Sequence, residues 1–233
     1  MAKTNTFVRL TCTAVFCGVS AASAIADCSD SPASGVDWSN CNKSSKILSG
    51  SDLSKGLFKN ANLTSTDLRE ADLTGADLQR ATIVRTSFSK ATLTKANLSQ
   101  VNGSRARFRG TNMTDAVMVK AEAGRADFSD AKLANADFSK SDLPRAQFSG
   151  ADLTGVKLVF ANISRSDFRG AMLAGADFSG AYTLRARFEA TDLSSTKGMS
   201  QLQLESACGN GETKLPEGLN VPTTWPCTGA EQE

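Results

Sequence analysis

A chain of 233 residues with 40% hydrophobic content would suit one or two ordinary domains, but one Tyr and two Trp are few for a globular core, and the apolar bulk comes from Leu and Phe. The formal charge is +2 with no His; without the first 26 residues, which carry Lys3 and Arg9 and no acid, 24 basic side chains face 24 acidic ones. That balance argues against a surface basic throughout, as nucleic acid would require, and equally against an acidic imitation of DNA, so any strong charge must be local.

Residues 1–26 read as a secretory signal. Lys3 and Arg9 form its charged region, Leu10 to Val19 its apolar stretch, and Ala24-Ile25-Ala26 a small-residue cleavage site before Asp27. The segment contains Ser, Thr and Gly and is short for a span, which argues for removal and against membrane insertion afterwards. Asp27 replaces the small residue that a lipid-modified Cys28 would need. The expectation is an exported bacterial protein, periplasmic or secreted.

Cys12 and Cys17 leave with the signal. The four remaining cysteines lie outside the central part of the chain, two at each end, and without His they suit disulfides in an oxidising compartment better than a metal site. Of three connectivities the local one is expected, Cys28 with Cys41 and Cys208 with Cys227.

Residues 27–46, with Trp38, read as an N-terminal cap, and residues 47–195 as the body. From Leu48 to Leu193 every fifth position forms a series of 30, of which 27 are Leu, Phe, Ile or Met; two residues before each centre, from Ser51 to Thr191, stand only Ala, Ser, Thr, Gly or Val. An α-helix would scatter a five-residue series around its cylinder, and a straight strand would send successive centres to opposite faces. The chain must therefore turn a corner in every unit, with the small residue and the centre pointing inward on one short extended side.

A longer period sets the number of sides. Phe88, Phe108, Phe128, Phe148, Phe168 and Phe188 follow at 20-residue spacing, and Phe58, Phe138 and Phe178 share a second such class. Four units make one coil of a square prism, and about seven coils make a rod of roughly 35 Å. The three centres that are not large, Gly103, Ala123 and Thr183, fall in one class; Val101, Met113 and Met118 are expected to fill the space at the first two, and Tyr182 or Leu184 to compensate at the third.

Segments such as Ala71-Asp72-Leu73-Thr74-Gly75 and Ala151-Asp152-Leu153-Thr154-Gly155 resemble the A-[DN]-[LF]-x-x signature of pentapeptide-repeat proteins, over roughly residues 46–195. The resemblance implies an all-β fold, a right-handed quadrilateral parallel β-helix, and is nearly silent on function. Residues 196–233 read as a C-terminal cap and tail: Ser200-Gln201-Leu202-Gln203 is a capping-box pattern opening a short helix that stops at Gly209, followed by a non-helical tail pinned through Cys208 and Cys227. With both ends covered, the expected state is a monomer, or a dimer formed end to end.

The most pointed surface feature is a second 20-residue series, Arg85, Arg105, Arg125, Arg145, Arg165 and Arg185, each three residues before a stacked Phe, with Arg107, Arg109, Arg169 and Arg187 nearby. Adjacent charges about 4.8 Å apart repel by roughly 1 kcal/mol even in water. One reading is an edge that binds repeated phosphate, sulfate or carboxylate groups. The other is that each Arg covers a corner and pairs with a neighbour such as Glu122, Asp127, Asp142 or Asp167. The Asp residues before the centres (Asp52, Asp72, Asp137, Asp152 and Asp177) alternate with Asn62, Asn97, Asn112 and Asn162, whose shared ability is to bond local backbone, so they do not suggest a general base. Nothing resembles a nucleophile elbow or a phosphate-binding Gly loop. No enzyme, cofactor or metal is expected. The leading expectation is an interaction or scaffold module of a bacterial cell envelope with an unknown protein or polyanionic partner. The alternatives are a DNA-mimicking protector of topoisomerases, a role the resemblance admits but the neutral charge opposes, and an envelope hydrolase.

Overall fold

The computed structural model describes residues 27–227, so the expected export signal lies outside the described residues. From Val36 onward the chain repeats one motif, a short extended side followed by a tight turn. At Leu68 the turn is closed by the Ala71 amide, which donates to the Leu68 carbonyl at 3.3 Å; at Leu73 the Ala76 amide does the same at 3.0 Å. From Gly35 to Ala190 the third residue of each turn has positive φ, 60° at Glu70 and 67° at Gly75, the signature of a type II turn. Gly fits this conformation freely, whereas an L-residue pays on the order of 1 kcal/mol. Lys, Arg and Asn nevertheless hold it at many corners, because pairing to the coils above and below fixes the backbone.

That pairing is parallel and always twenty residues apart, from Asp37 with Leu57 through Asp177 with Lys197. Each side is long enough for only one isolated bridge. In a representative side the Asp72 amide donates to Ser51 at 3.0 Å and the Leu73 amide to Thr92 at 2.7 Å, so one residue faces the coil below and the next the coil above. The Asx residues serve the corners as their chemistry suggests. Asp52, Asp72, Asp137, Asp152 and Asp177 each accept the amide two residues on at 2.9–3.0 Å, and Asn62, Asn97, Asn112 and Asn162 do so at 3.0–3.2 Å.

Inside, twenty-residue neighbours lie over one another. The rings from Phe88 to Phe188 form one column with centroids 4.8–5.2 Å apart, near-parallel over most of its length and tilted by 21° at the last step. Phe138 meets Phe128 edge-on at 5.5 Å. The dent at Gly103 is filled differently from the sequence expectation: Ile83 of the preceding coil leans in, its Cδ1 and Cγ1 3.3 Å from where a Cβ on Gly103 would stand. At Thr183 the neighbours do not compensate, for Tyr182 and Leu184 are 55% and 39% exposed. The hydroxyl is instead satisfied by the cap, donating to the Gln203 carbonyl at 2.8 Å.

Coil pairing begins ahead of residue 47. Trp38 takes a centre position and meets Phe58 edge-on at 5.8 Å, Cys41 takes a small position, and Lys43 stands at a centre with its Nζ 3.6 Å from the Trp38 ring centroid. Burial, then the neighbouring Lys46, push the Lys43 ammonium below its usual pKa. At the other end α1 (Gln201–Ser206) opens with the expected capping box between Ser200 and Gln203. Gln203 Nε2 donates to the carbonyls of Phe178 at 2.8 Å and Ala181 at 2.9 Å, which binds α1 to the last full coil. Disulfides join Cys28 to Cys41 and Cys208 to Cys227, with Cα atoms 5.4 and 5.5 Å apart. No helix among the described residues is long and apolar enough to cross a membrane.

Candidate functional site

The six arginines of the twenty-residue series occupy the third turn position at one corner, between the side centred on Ile83 and its stacked equivalents and the side that carries the Phe column. Their φ values run from 55° to 60°. Each Arg amide donates to a carbonyl in the next coil: Arg85 to Ser104 at 3.2 Å, Arg105 to Gly124 at 3.0 Å, Arg125 to Pro144 at 2.9 Å and Arg145 to Ser164 at 2.8 Å. The same conformation and the same tether repeat at every level, so the side chains leave the rod from equivalent points one coil apart.

Four of the six come together. Arg85, Arg105, Arg125 and Arg145 are exposed and line one trough of about 550 Å³ whose floor is Val84, Ser104, Gly124 and Pro144. No acid lines it. Gly124 is not in the left-handed region, so its backbone does not demand glycine; a Cβ there would lie 3.3 Å from Pro144 Cγ, so its absence gives the Pro144 ring room and keeps the floor shallow. Arg165 and Arg185 are half-buried further along the corner. Arg185 lines a separate small pocket at the C-terminal cap together with Glu205.

The expected pairing of these arginines with neighbouring acids is not what the structure shows. Among the described residues, no side-chain hydrogen bond or ion pair engages any of the six guanidiniums, while the candidate acids are held by other groups or stand apart. Asp127 accepts the Ser129 amide at 2.9 Å, and Asp142 accepts Asn162 Nδ2 at 2.6 Å. Asp167 is bound by Arg169 at 2.6 Å. Burial acts to raise the Asp167 pKa, but hydrogen bonds from Arg169 outweigh it and hold the carboxyl below its usual value.

Arginines elsewhere behave differently. Arg69 pairs with Asp67 at 2.6 Å, Arg109 with Asp130 at 3.5 Å and Arg187 with Glu189 at 3.0 Å. The Arg69 side chain also draws the Asp67 pKa downward. At Arg69, Arg169 and Arg187 the contrast follows from position, since each stands beside a centre and reaches an acid on the other side of that centre two residues away, Asp67, Asp167 and Glu189, whereas the six arginines stand at the corner position beyond. Asp192, at the far end, is lowered to about 2 by hydrogen bonds from Ser194 and Lys214, which accounts for it as a turn and ion-pair residue. Among the described residues no group of three or more Cys, Asp or Glu is placed to hold a metal ion.

Sequence reasoning located the Arg column and missed its floor. The signal was present, since Val84, Ser104, Gly124 and Pro144 immediately precede the arginines at the same twenty-residue spacing, but each is an ordinary turn residue alone. It also missed Phe160, which stands at a corner with φ 56° and 64% of its surface exposed instead of in the core.

No curated protein matches the chain. Among solved structures it is similar to HetL, a pentapeptide repeat protein involved in heterocyst differentiation regulation from the cyanobacterium Nostoc, at 26% identity over 79% of this chain and 84% of that one, with a TM-score of 0.49. It is also similar to QnrB1, a plasmid-mediated fluoroquinolone resistance protein, at 17% identity over 78% of this chain and 91% of that one, with a TM-score of 0.46. The family model for pentapeptide repeats matches in eight copies over residues 47–83, 83–118, 124–159, 152–182 and 161–197. With the five-residue unit, the twenty-residue coil and this match on the same stretch, the chain belongs to the pentapeptide repeat family.

Proposed function

We propose that this protein is a non-enzymatic interaction module of the bacterial cell envelope, exported by its first 26 residues, that binds an anionic partner along the Arg corner. One observation carries the reading: six guanidiniums share one edge, and none is neutralised by an acid among the described residues, although Arg69, Arg169 and Arg187 nearby all are. Lining up like charges without partners costs about 1 kcal/mol per neighbouring pair before screening, and an anion bound along the edge would offset that cost. The disulfides at both ends support an oxidising location.

The test replaces Arg105, Arg125 and Arg145 together by Gln. Wild type should be retained on immobilised dextran sulfate at low salt and released as salt rises. The triple variant should bind on the order of tenfold or more weakly, each exposed charge contact contributing up to about 1 kcal/mol, with its stability within about 0.5 kcal/mol of wild type. A wild type that passes straight through the column, or a variant that unfolds, would instead make the column a structural feature.

A further inference from the structure

We infer that the trough between Arg85 and Arg145 seats a linear carboxylated polysaccharide, a 1,4-linked polyuronate with one carboxylate per sugar, lying along the rod with the carboxylates of alternate sugars turned to the arginines. The inference rests on the anion-binding reading above and specifies its ligand.

Spacing is the first argument. The stacked rings of the adjoining Phe column repeat at 4.8–5.2 Å, and the Arg backbones, tied coil to coil, repeat with them. A 1,4-linked pyranose chain advances by about one strand spacing per sugar. Successive sugars in a two-fold chain turn their carboxylates to opposite sides, so those facing the edge recur at about two strand spacings and meet every second arginine in register. An extended acidic peptide presents same-side carboxylates about 6.6–6.8 Å apart and falls out of step by roughly 2 Å at each coil. A single strand of nucleic acid gains much of its affinity from bases stacked on aromatic rings, and the trough has no aromatic residue in its lining.

The floor is the second argument. Val84 and Pro144 offer C–H surface, Gly124 offers bare backbone and Ser104 a hydroxyl, with no charge among them. A pyranose ring has the matching make-up, an apolar C–H face bordered by hydroxyls. Its face can lie on the floor while its carboxylate meets the Arg wall, where the guanidinium fork donates two parallel hydrogen bonds to it. Inorganic polyphosphate satisfies the wall and leaves the floor unused.

The experiment is calorimetric titration of the whole exported chain at low salt with polygalacturonate long enough to span the four arginines. Its fully methyl-esterified form, polyglutamate, inorganic polyphosphate and a single-stranded oligonucleotide serve as comparators. Polygalacturonate should bind at least roughly tenfold more tightly than each comparator, and esterification should remove the binding. Replacing Arg105, Arg125 and Arg145 by Lys keeps every charge but removes the fork, so the preference for polygalacturonate over polyphosphate should collapse while polyphosphate binding persists. If polyglutamate, polyphosphate or the oligonucleotide binds as tightly as polygalacturonate, the polyuronate assignment is overturned and the anionic edge stands. If no polyanion binds, both readings fall, and undiminished binding of the methyl ester would equally refute the assignment.

Discussion

Phe128→Ala is expected to lower the stability of the rod by about 3–5 kcal/mol. The ring is fully buried in mid-column, near-parallel to Phe108 at 4.8 Å and Phe148 at 4.9 Å, and edge-on to Phe138 at 5.5 Å. Truncation removes its burial and both stacking contacts, each of which adds about 0.5–1.5 kcal/mol to the burial itself. The cavity has little means of closing. The Asp127 amide is fixed to Ala106 at 3.0 Å and the Phe128 amide to Gln147 at 2.7 Å, so neither neighbouring coil can sink into the space. In a solenoid each repeat touches only its neighbours, and the loss is shared by the coils above and below. Phe128→Leu should cost less than about 1.5 kcal/mol, because Leu48 and Leu68 already occupy the same column further down. Urea unfolding of the three proteins measures both; an Ala variant as stable as the Leu variant would mean that the column does not carry the core.

Replacing Cys208 and Cys227 together by Ser is expected to cost about 3 kcal/mol, the chain-entropy value for a loop of this order, the two being 19 residues apart. The damage should be local. Cys208 pairs with Arg187, one place before the Phe column, and its carbonyl accepts the Phe188 amide at 2.8 Å, while Trp225 Nε1 donates to the Ala207 carbonyl at 2.8 Å and holds the tail against the helix. Without the bridge, hydrogen exchange should accelerate at the amides of Arg185, Phe188 and Leu193, whose acceptors are Ser206, Cys208 and Lys214. Exchange at Phe108 and Phe128 should not change. Uniform acceleration along the rod would show that the cap and the coils unfold as one unit.

Much of this architecture is legible in the sequence because its periods belong to large, countable side chains. The Phe series alone places residues twenty apart over one another, and it puts the arginines on one corner. What the sequence conceals has physical reasons. The start of the coils is hidden because Lys43 stands at an apolar position, where its ammonium rests on the Trp38 ring. Thr183 is satisfied by α1, which the five-residue rule does not describe. That the six arginines meet no acid among the described residues is hidden because nearness in sequence suggests pairing, whereas the nearby acids are held by other groups. That last difference turns a structural expectation into a functional one.

The Arg column as a receptor for anions is tested most directly by following the Arg Nε–Hε resonances while a polyanion is added. Arg85, Arg105, Arg125 and Arg145 should shift together, while Arg69 and Arg169, already held by Asp67 and Asp167, stay in place. Equal shifts at all of these arginines, or none at the four in the trough, would contradict the account.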